Sequence, residues 1–360
     1  KIGSMHKNKI IDCITFFDNN FMFELRYNIL KDYVDYFVVC EAKYNHKRLE
    51  KSKEFIWKNN FDKKKIKYFF LEKPFPENND PWKNQAIQRE FLLECTNFAD
   101  ENDYIFFSDP DEIPDPNLLI NFDLKKKYGI FFQDCFNYKF NLFNPYETPW
   151  EGTRVAKKKD LNSIDFMRQK IRAKNLKYKF YRFDKEKNIE IFENAGWHFN
   201  NLMSPEDISL KLKTFAHSEF SDKKFSSVEI IKDKINRKVD LFNRGHTYKI
   251  VELNKKFPKY ILNNIVMVLS DDNIDSFLLE QQACLKNNKN YFNVLKNIWV
   301  RDYDQLTDIF SNYSEYTKLL NKLKDSTKDS LIKDSDEYYA LNLLSTIDPA
   351  IKRFTDLQKK

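Results

Sequence analysis

Glycine is scarce in this chain, with 5 in 360 residues. A phosphate-cradling glycine-rich loop needs several of them within one short segment. No such segment exists here, which removes the usual signature of P-loop and dinucleotide-binding enzymes. Cysteines are also few and scattered, at 13, 40, 95, 135 and 284, without a Cys-x-x-Cys pair. Cys40 and Cys135 lie in or beside apolar runs and read as reduced core thiols, which points to a reducing compartment rather than to disulfides or zinc. No apolar run approaches the roughly 20 residues that span a bilayer, and no signal-peptide pattern opens the chain. Gly3-Ser4 ahead of Met5 reads as a tag remnant, so residues 1–9 are expected to form only a tail. The expectation is a cytoplasmic protein, at most held at the inner face of the membrane.

What the chain does have is apolar and aromatic material: 42% hydrophobic residues, with 34 Phe and 19 Tyr. That is ample for a core and excludes a disordered chain. The net charge of +7 is modest and spread along the sequence. The lysine runs at 63–65, 125–127 and 157–159 read as solvated faces, and neither a dense basic stripe nor a nucleic-acid-binding module is present. Weak attraction to an anionic membrane or an anionic glycan is compatible with this charge, so peripheral membrane association stays open. Nothing in the sequence indicates an oligomeric state.

Strand-like and helical patterns alternate through the first half. Strands are expected at Ile10–Phe17, at Tyr36–Glu41, at Ile66–Leu71 and at Tyr104–Phe107; helices are expected over Phe21–Leu30 and Trp82–Phe98. Such alternation implies a mostly parallel sheet with ligands at the carboxyl ends of its strands. Further strands are expected at Gly129–Cys135, at Phe136–Phe143 and over Ile189–Phe199, with a turn at Trp150-Glu151-Gly152-Thr153-Arg154. Ser204-Pro205-Glu206-Asp207 has the form of a capped helix start. Beyond about residue 258 the alternation stops, and residues 259–360 read as a helical C-terminal extension of a domain spanning 10–258.

The most informative segment is Ser108-Asp109-Pro110-Asp111-Glu112, with three carboxylates in four residues directly after the apolar run Tyr104–Phe107. Prolines at 110, 114 and 116 prevent a central strand or a helix interior from continuing. The pattern is that of a buried strand delivering acids to a loop. Mg²⁺ and Mn²⁺ favour such oxygen ligands and bridge them to substrate phosphates; an acidic surface turn is the alternative.

An ordered series of segments runs through the chain: Ile11-Asp12-Cys13-Ile14-Thr15-Phe16-Phe17, Glu24-Leu25-Arg26, Val34 to Glu41, Trp82 with Gln88-Arg89, Asp109-Pro110-Asp111-Glu112-Ile113-Pro114, Trp150 to Arg154, Gly196-Trp197-His198-Phe199, and Phe215-Ala216-His217-Ser218-Glu219. These segments carry a resemblance to glycosyltransferase family 17, the group containing enzymes that add bisecting N-acetylglucosamine to N-glycans. It implies a GT-A-type, Rossmann-like α/β fold, a nucleotide-sugar donor (UDP-N-acetylglucosamine), a glycan acceptor, Mn²⁺ or Mg²⁺, and inversion at the anomeric carbon. It also implies Asp111 as metal ligand, Asp109 on metal or ribose, and His198 as a third metal or diphosphate contact. Donor or substrate contacts are then expected among Arg26, Glu41, Arg89, Arg154, Trp197 and His217, with Arg168 a further matched arginine. Trp197 reads equally as a core residue. Inversion needs a general base, for which Glu219, Glu112 and Glu206 remain open; Glu206 also suits a helix N-terminus. The absent membrane anchor sets the chain apart from the Golgi members and points to a bacterial or viral surface polysaccharide or lipopolysaccharide as acceptor. The competing readings are a metal-dependent nucleotidyl- or phosphotransferase, and a non-catalytic carbohydrate-binding scaffold.

Overall fold

The computed structural model describes residues 8–51, 53–214, 223–251 and 256–264. The chain divides into two units, Lys1–Tyr260 and Ile261–Lys360; the expected helical extension falls almost wholly outside the described residues.

The first unit begins with β1 (Ile10–Phe16), α1 (Asn20–Leu30), β2 (Tyr36–Ala42), β3 (Ile66–Leu71), α2 (Pro81–Cys95) and β4 (Tyr104–Ser108). Then come β5 (Glu112–Pro114), α3 (Pro116–Leu119), β6 (Tyr128–Asn137), β7 (Leu142–Phe143), β8 (Trp150–Lys157) and α4 (Ile164–Lys170). The described part closes with β9 (Ile189–Phe192), β10 (Gly196–Asn200), α5 (Pro205–Thr214), α6 (Lys223–Ser226), α7 (Val228–Asn236), β11 (Lys249–Ile250) and α8 (Lys259–Asn264). The main sheet runs β11-β7-β6-β8-β4-β1-β2-β3, with β9 and β10 added on β6 and β5 added on β10. Its first-half strands β3, β2, β1 and β4 are all parallel, whereas β8 is antiparallel to both β4 and β6. This is the α/β class expected: a mixed sheet flanked by helices.

The alternation of strand side chains explains the two layers. Ile11 and Cys13 of β1, Val38 and Cys40 of β2, and Ile105 and Phe107 of β4 face one side, where Leu92 and Cys95 of α2 and Ile164 and Met167 of α4 cover them. Intervening residues face the other way. There Phe37 meets Phe23 and Tyr27 of α1, while Phe106 meets Phe122 and Phe131. Each buried Phe contributes on the order of 1.5–3 kcal/mol. Cys13, Cys40, Cys95 and Cys135 are free and buried, as read from the sequence. No helix among the described residues is long and apolar enough to cross a membrane.

Three local expectations change. The Trp150–Arg154 segment is not a turn but the start of β8, and Gly152 lies so close to Gln133 that a Cβ would meet its side-chain oxygen at 1.8 Å. The run Phe136–Phe143 is not one strand: β6 ends at Asn137, and Tyr138 turns the chain with φ of 65° into the two-residue β7. Ile189–Phe199 breaks into β9 and β10, because Gly196 (φ 133°) lets the chain pass Ile113, whose carbonyl would sit 2.1 Å from any Cβ there. The α5 start agrees with its reading, since Ser204 accepts from the Asp207 N–H at 3.1 Å and donates to the Asp207 carboxylate at 2.7 Å.

Candidate active site

In the parallel half the strand order reverses between β1 and β4. An open α/β sheet binds ligands at such a switch point, outside the carboxyl ends of the strands. The acidic loop occupies this position, directly after Ser108, whose partner on β1 is Ile14.

The loop closes on itself. Glu112 N–H donates to the Asp109 carbonyl at 3.0 Å, and Asp109 N–H donates to Glu112 Oε2 at 3.1 Å. Arg168, from α4, then holds both acids: Nη2 reaches Asp109 Oδ2 and Glu112 Oε1, each at 2.6 Å, and Nη1 reaches Glu112 Oε2 at 3.0 Å. Trp150 Nε1 donates to Glu112 Oε1 at 2.6 Å. Below the loop, Arg26 is fully buried; it grips Asp12 with Nε (2.7 Å) and Nη2 (2.5 Å) and the Glu112 carbonyl with Nη1 (2.6 Å). Arg89 stands on the other side of Asp109, with Nη2 3.6 Å from Oδ1 and Nη1 3.0 Å from Asp165 Oδ1, while its buried Nε has no partner.

Asp111 faces elsewhere. Its carbonyl accepts from the Phe199 N–H at 2.9 Å, which ties it to β10, and its Oδ1 lies 3.6 Å from His198 Nε2. The Trp150 ring lies over the imidazole, with centroids 4.6 Å apart and planes tilted by 31°. His198 Nδ1 is 3.6 Å from Cys135 Sγ, and that thiol leads to the Asn137–Asn144–Glu147 cluster.

The electrostatics follow this division. Burial pushes Asp109 upward, but the charges of Arg168 and Arg89 outweigh it and hold the carboxyl below its ordinary value. Burial opposes ionisation of Asp111 too; the neighbouring His198 overcomes it and lowers this carboxyl strongly. Burial alone would lower His198, yet the Asp111 charge carries it well above the usual imidazole value. Each of the two groups thus favours the charged form of the other across 3.6 Å.

The other expected residues separate clearly. Glu41 is buried and accepts from Lys51, the Glu54 and Phe55 N–H groups and Tyr68, so it secures those residues rather than facing the switch point. Arg154 is fully buried, bonding the Ile171, Glu151 and Gly152 carbonyls; burial, reinforced by the charge of Arg168, lowers it to about 9. Arg26 and Glu112 are likewise turned inward. Trp197 is a core residue of β10, and the indole that borders the acids is Trp150. Glu206 is exposed and paired with Lys232 at 3.2 Å; the helix N-terminal N–H and then Lys232 lower it, the opposite of what a base needs. His217 and Glu219 lie outside the described residues. Among the described residues no group of three His, Cys, Asp or Glu side chains gathers tightly enough to enclose a metal, so Asp109, Asp111 and His198 do not form one cage. Asp111 and His198 place one carboxylate beside one buried imidazole.

Arg168, a matched arginine in the sequence, is the clamp described above. Asp18, exposed just past the end of β1, lies at the same sheet edge, and Lys211 of α5 exerts its charge on both Asp18 and Asp111. Burial of its surroundings, then the charge of Asp207, raises Asp18 above the ordinary carboxylate value.

Residues 3–133 match the sequence profile of Glycosyltransferase family 17. No curated protein sequence matches the chain. Among solved structures, HddC from Yersinia pseudotuberculosis is similar at 11% identity and a TM-score of 0.31, covering 52% of this chain and 91% of that one. A Bacillus anthracis protein assigned as a glucose-1-phosphate thymidylyltransferase, solved with sucrose, is similar at 10% identity and a TM-score of 0.29, covering 51% of this chain and 86% of that one. The match runs through β1–β4 and the acidic loop, and it supports a glycosyltransferase enzyme related to that family.

Proposed function

We propose that the chain is a divalent-metal-dependent, inverting enzyme of the GT-A type that transfers N-acetylglucosamine from its UDP donor to a hydroxyl of a surface polysaccharide or lipopolysaccharide. The observation that supports this most directly is Asp111 facing His198 across 3.6 Å at the β1/β4 switch point, beside the Asp109–Arg168–Arg89 cluster. The donor sugar and acceptor class come from the family resemblance; the roles below come from the site.

Asp111 and His198 would hold Mn²⁺ or Mg²⁺, with imidazole favouring Mn²⁺. That ion supplies Lewis-acid stabilisation of charge on the leaving diphosphate. Arg168 and Arg89 fix Asp109 and keep the loop rigid, so Asp111 is held without reorganisation when charge develops. Asp18 is the base: an accessible carboxylate of raised pKa at the same edge can take the acceptor proton as the hydroxyl oxygen attacks the anomeric carbon and the nucleoside diphosphate departs. Glu112 has both oxygens occupied, which disfavours it for that step.

UDP release from a panel of UDP-sugars, with and without Mn²⁺, tests the reading. The expected outcome is metal-dependent release from one sugar, lost in Asp111→Ala. Absence of release and of binding for every nucleotide sugar would overturn it. Pyrophosphate formation from a nucleoside triphosphate and a sugar phosphate would favour the nucleotidyltransferase instead.

A further inference from the structure

Between α4 and β9 the chain exposes residues 176–184 without interruption. The segment leaves a 3₁₀ turn at Ala173–Lys177 and rejoins the sheet at Ile189, beside Tyr128 at the start of β6. Phe180 is 84% and Phe183 90% exposed, more than any other large hydrophobic side chain among the described residues; Leu176, Tyr178 and Tyr181 are exposed beside them. Most phenylalanines among the described residues are buried or half-buried, so two largely exposed ones three residues apart stand out.

They are not loose. Successive turns, Arg182 N–H to the Lys179 carbonyl at 3.0 Å and Lys185 N–H to the Arg182 carbonyl at 3.1 Å, fold the segment on itself. Arg182 and Lys185 stack over the Tyr178 ring at 5.3 and 5.7 Å, and Lys179 lies 5.9 Å from the Tyr181 ring. From 174 to 187 the sequence carries six basic residues (Lys174, Lys177, Lys179, Arg182, Lys185, Lys187) against two acidic ones (Asp184, Glu186). Both acids face cations: Asp184 accepts two bonds of 2.7 Å from Arg182, and Glu186 is 3.9 Å from Lys127. The outward charge is therefore positive, interleaved with aromatics.

We propose that residues 174–187 dock the protein on an anionic lipid bilayer, with Phe180 and Phe183 entering the headgroup boundary and the surrounding Lys and Arg side chains meeting lipid phosphates. Aromatic rings favour that boundary, and basic side chains lay their apolar stems along it while their charged ends stay among the headgroups. Juxtaposed cations add attraction that depends on anionic lipid and fades with salt. Charge complementarity selects this occupant over a neutral surface. The proposal is independent of the catalytic assignment.

Flotation of the full chain with phosphatidylcholine vesicles, with and without phosphatidylglycerol, tests it. The expected result is co-flotation with the anionic vesicles only. Phe180→Ser/Phe183→Ser should weaken it at least about ten-fold, as loss of two buried rings requires, and Lys177→Gln/Lys179→Gln should flatten its salt dependence. Both pairs of changes lie at exposed positions, and unchanged circular dichroism and UDP release would show the fold intact. Failure to float with either vesicle, equal flotation with both, or wild-type flotation of the Phe180/Phe183 variant would overturn the proposal. So would binding to heparin or duplex DNA that outcompetes anionic vesicles.

Discussion

Asp109 and Asp111 are separated by one proline, yet they inhabit different regions of the loop. Asp109 is enclosed by Arg168 and Arg89 and shares its clamp with Glu112, while Asp111 turns to His198 on β10. The first region spends its charge on internal pairing and can only stiffen the loop. The second sets a carboxylate beside the buried imidazole of His198. The contrast shows that an acidic motif need not act as a unit: one carboxylate is held by guanidinium groups from α2 and α4, and the other meets a single imidazole from β10.

The comparison is broken most severely by removing the clamp. Arg168→Met leaves Asp109 and Glu112 without their buried partner, and loss of one member of such a pair costs on the order of 3–5 kcal/mol. Urea unfolding should show this. The pairing also has a pH signature. Asp109 has a lowered pKa in the folded chain, so its stabilisation is present above the ordinary carboxylate value of about 4 and is lost as pH falls through the lowered folded value. In Arg168→Met the acid-side slope of stability should flatten.

Asp111→Asn strikes the other region. Turnover should fall about a thousand-fold, the scale of several kcal/mol of lost charge stabilisation, while the urea midpoint, with the His198 pairing lost, should drop less than in Arg168→Met. Equal losses of stability in the Arg168 and Asp111 variants would erase the distinction between the two halves.

Asp18→Asn sharpens it. Loss of a general base should reduce kcat about a hundred-fold and leave donor affinity intact, as read by titration calorimetry. Because a base works deprotonated and Asp18 is raised, activity in the native enzyme should climb with pH through an elevated carboxylate value; the variant should lose that limb. Glu206→Gln is the smallest change. Its carboxylate is exposed and engaged with Lys232, so activity should stay within about two-fold, as for other surface substitutions.

Much of the frame was legible in the sequence. β1 to β4, α1, α2 and the α5 cap announce themselves through local periodicity, prolines and a capping box, all of which act over a few residues. The acidic loop was legible for the same reason: Pro110 and Pro114 end the apolar run where the carboxylates start. Trp150–Arg154 was misread because its glycine resembles a turn signal. In the fold that glycine serves close packing on Gln133 within a strand.

What the sequence alone determined is an α/β frame, its buried thiols, and an acidic loop after a buried strand, because propensity and patterning are local properties. Only the tertiary structure decided which carboxylate is bound into the scaffold, that Arg26, Glu41 and Arg154 face inward, and that Arg168 bonds both Asp109 and Glu112. Those assignments depend on contacts between residues far apart in the chain, such as Arg168 with Asp109 and Arg26 with the Glu112 carbonyl. A guanidinium carries the same charge wherever it lies; burial and partner choose between support and chemistry, and both arise only when the sheet closes.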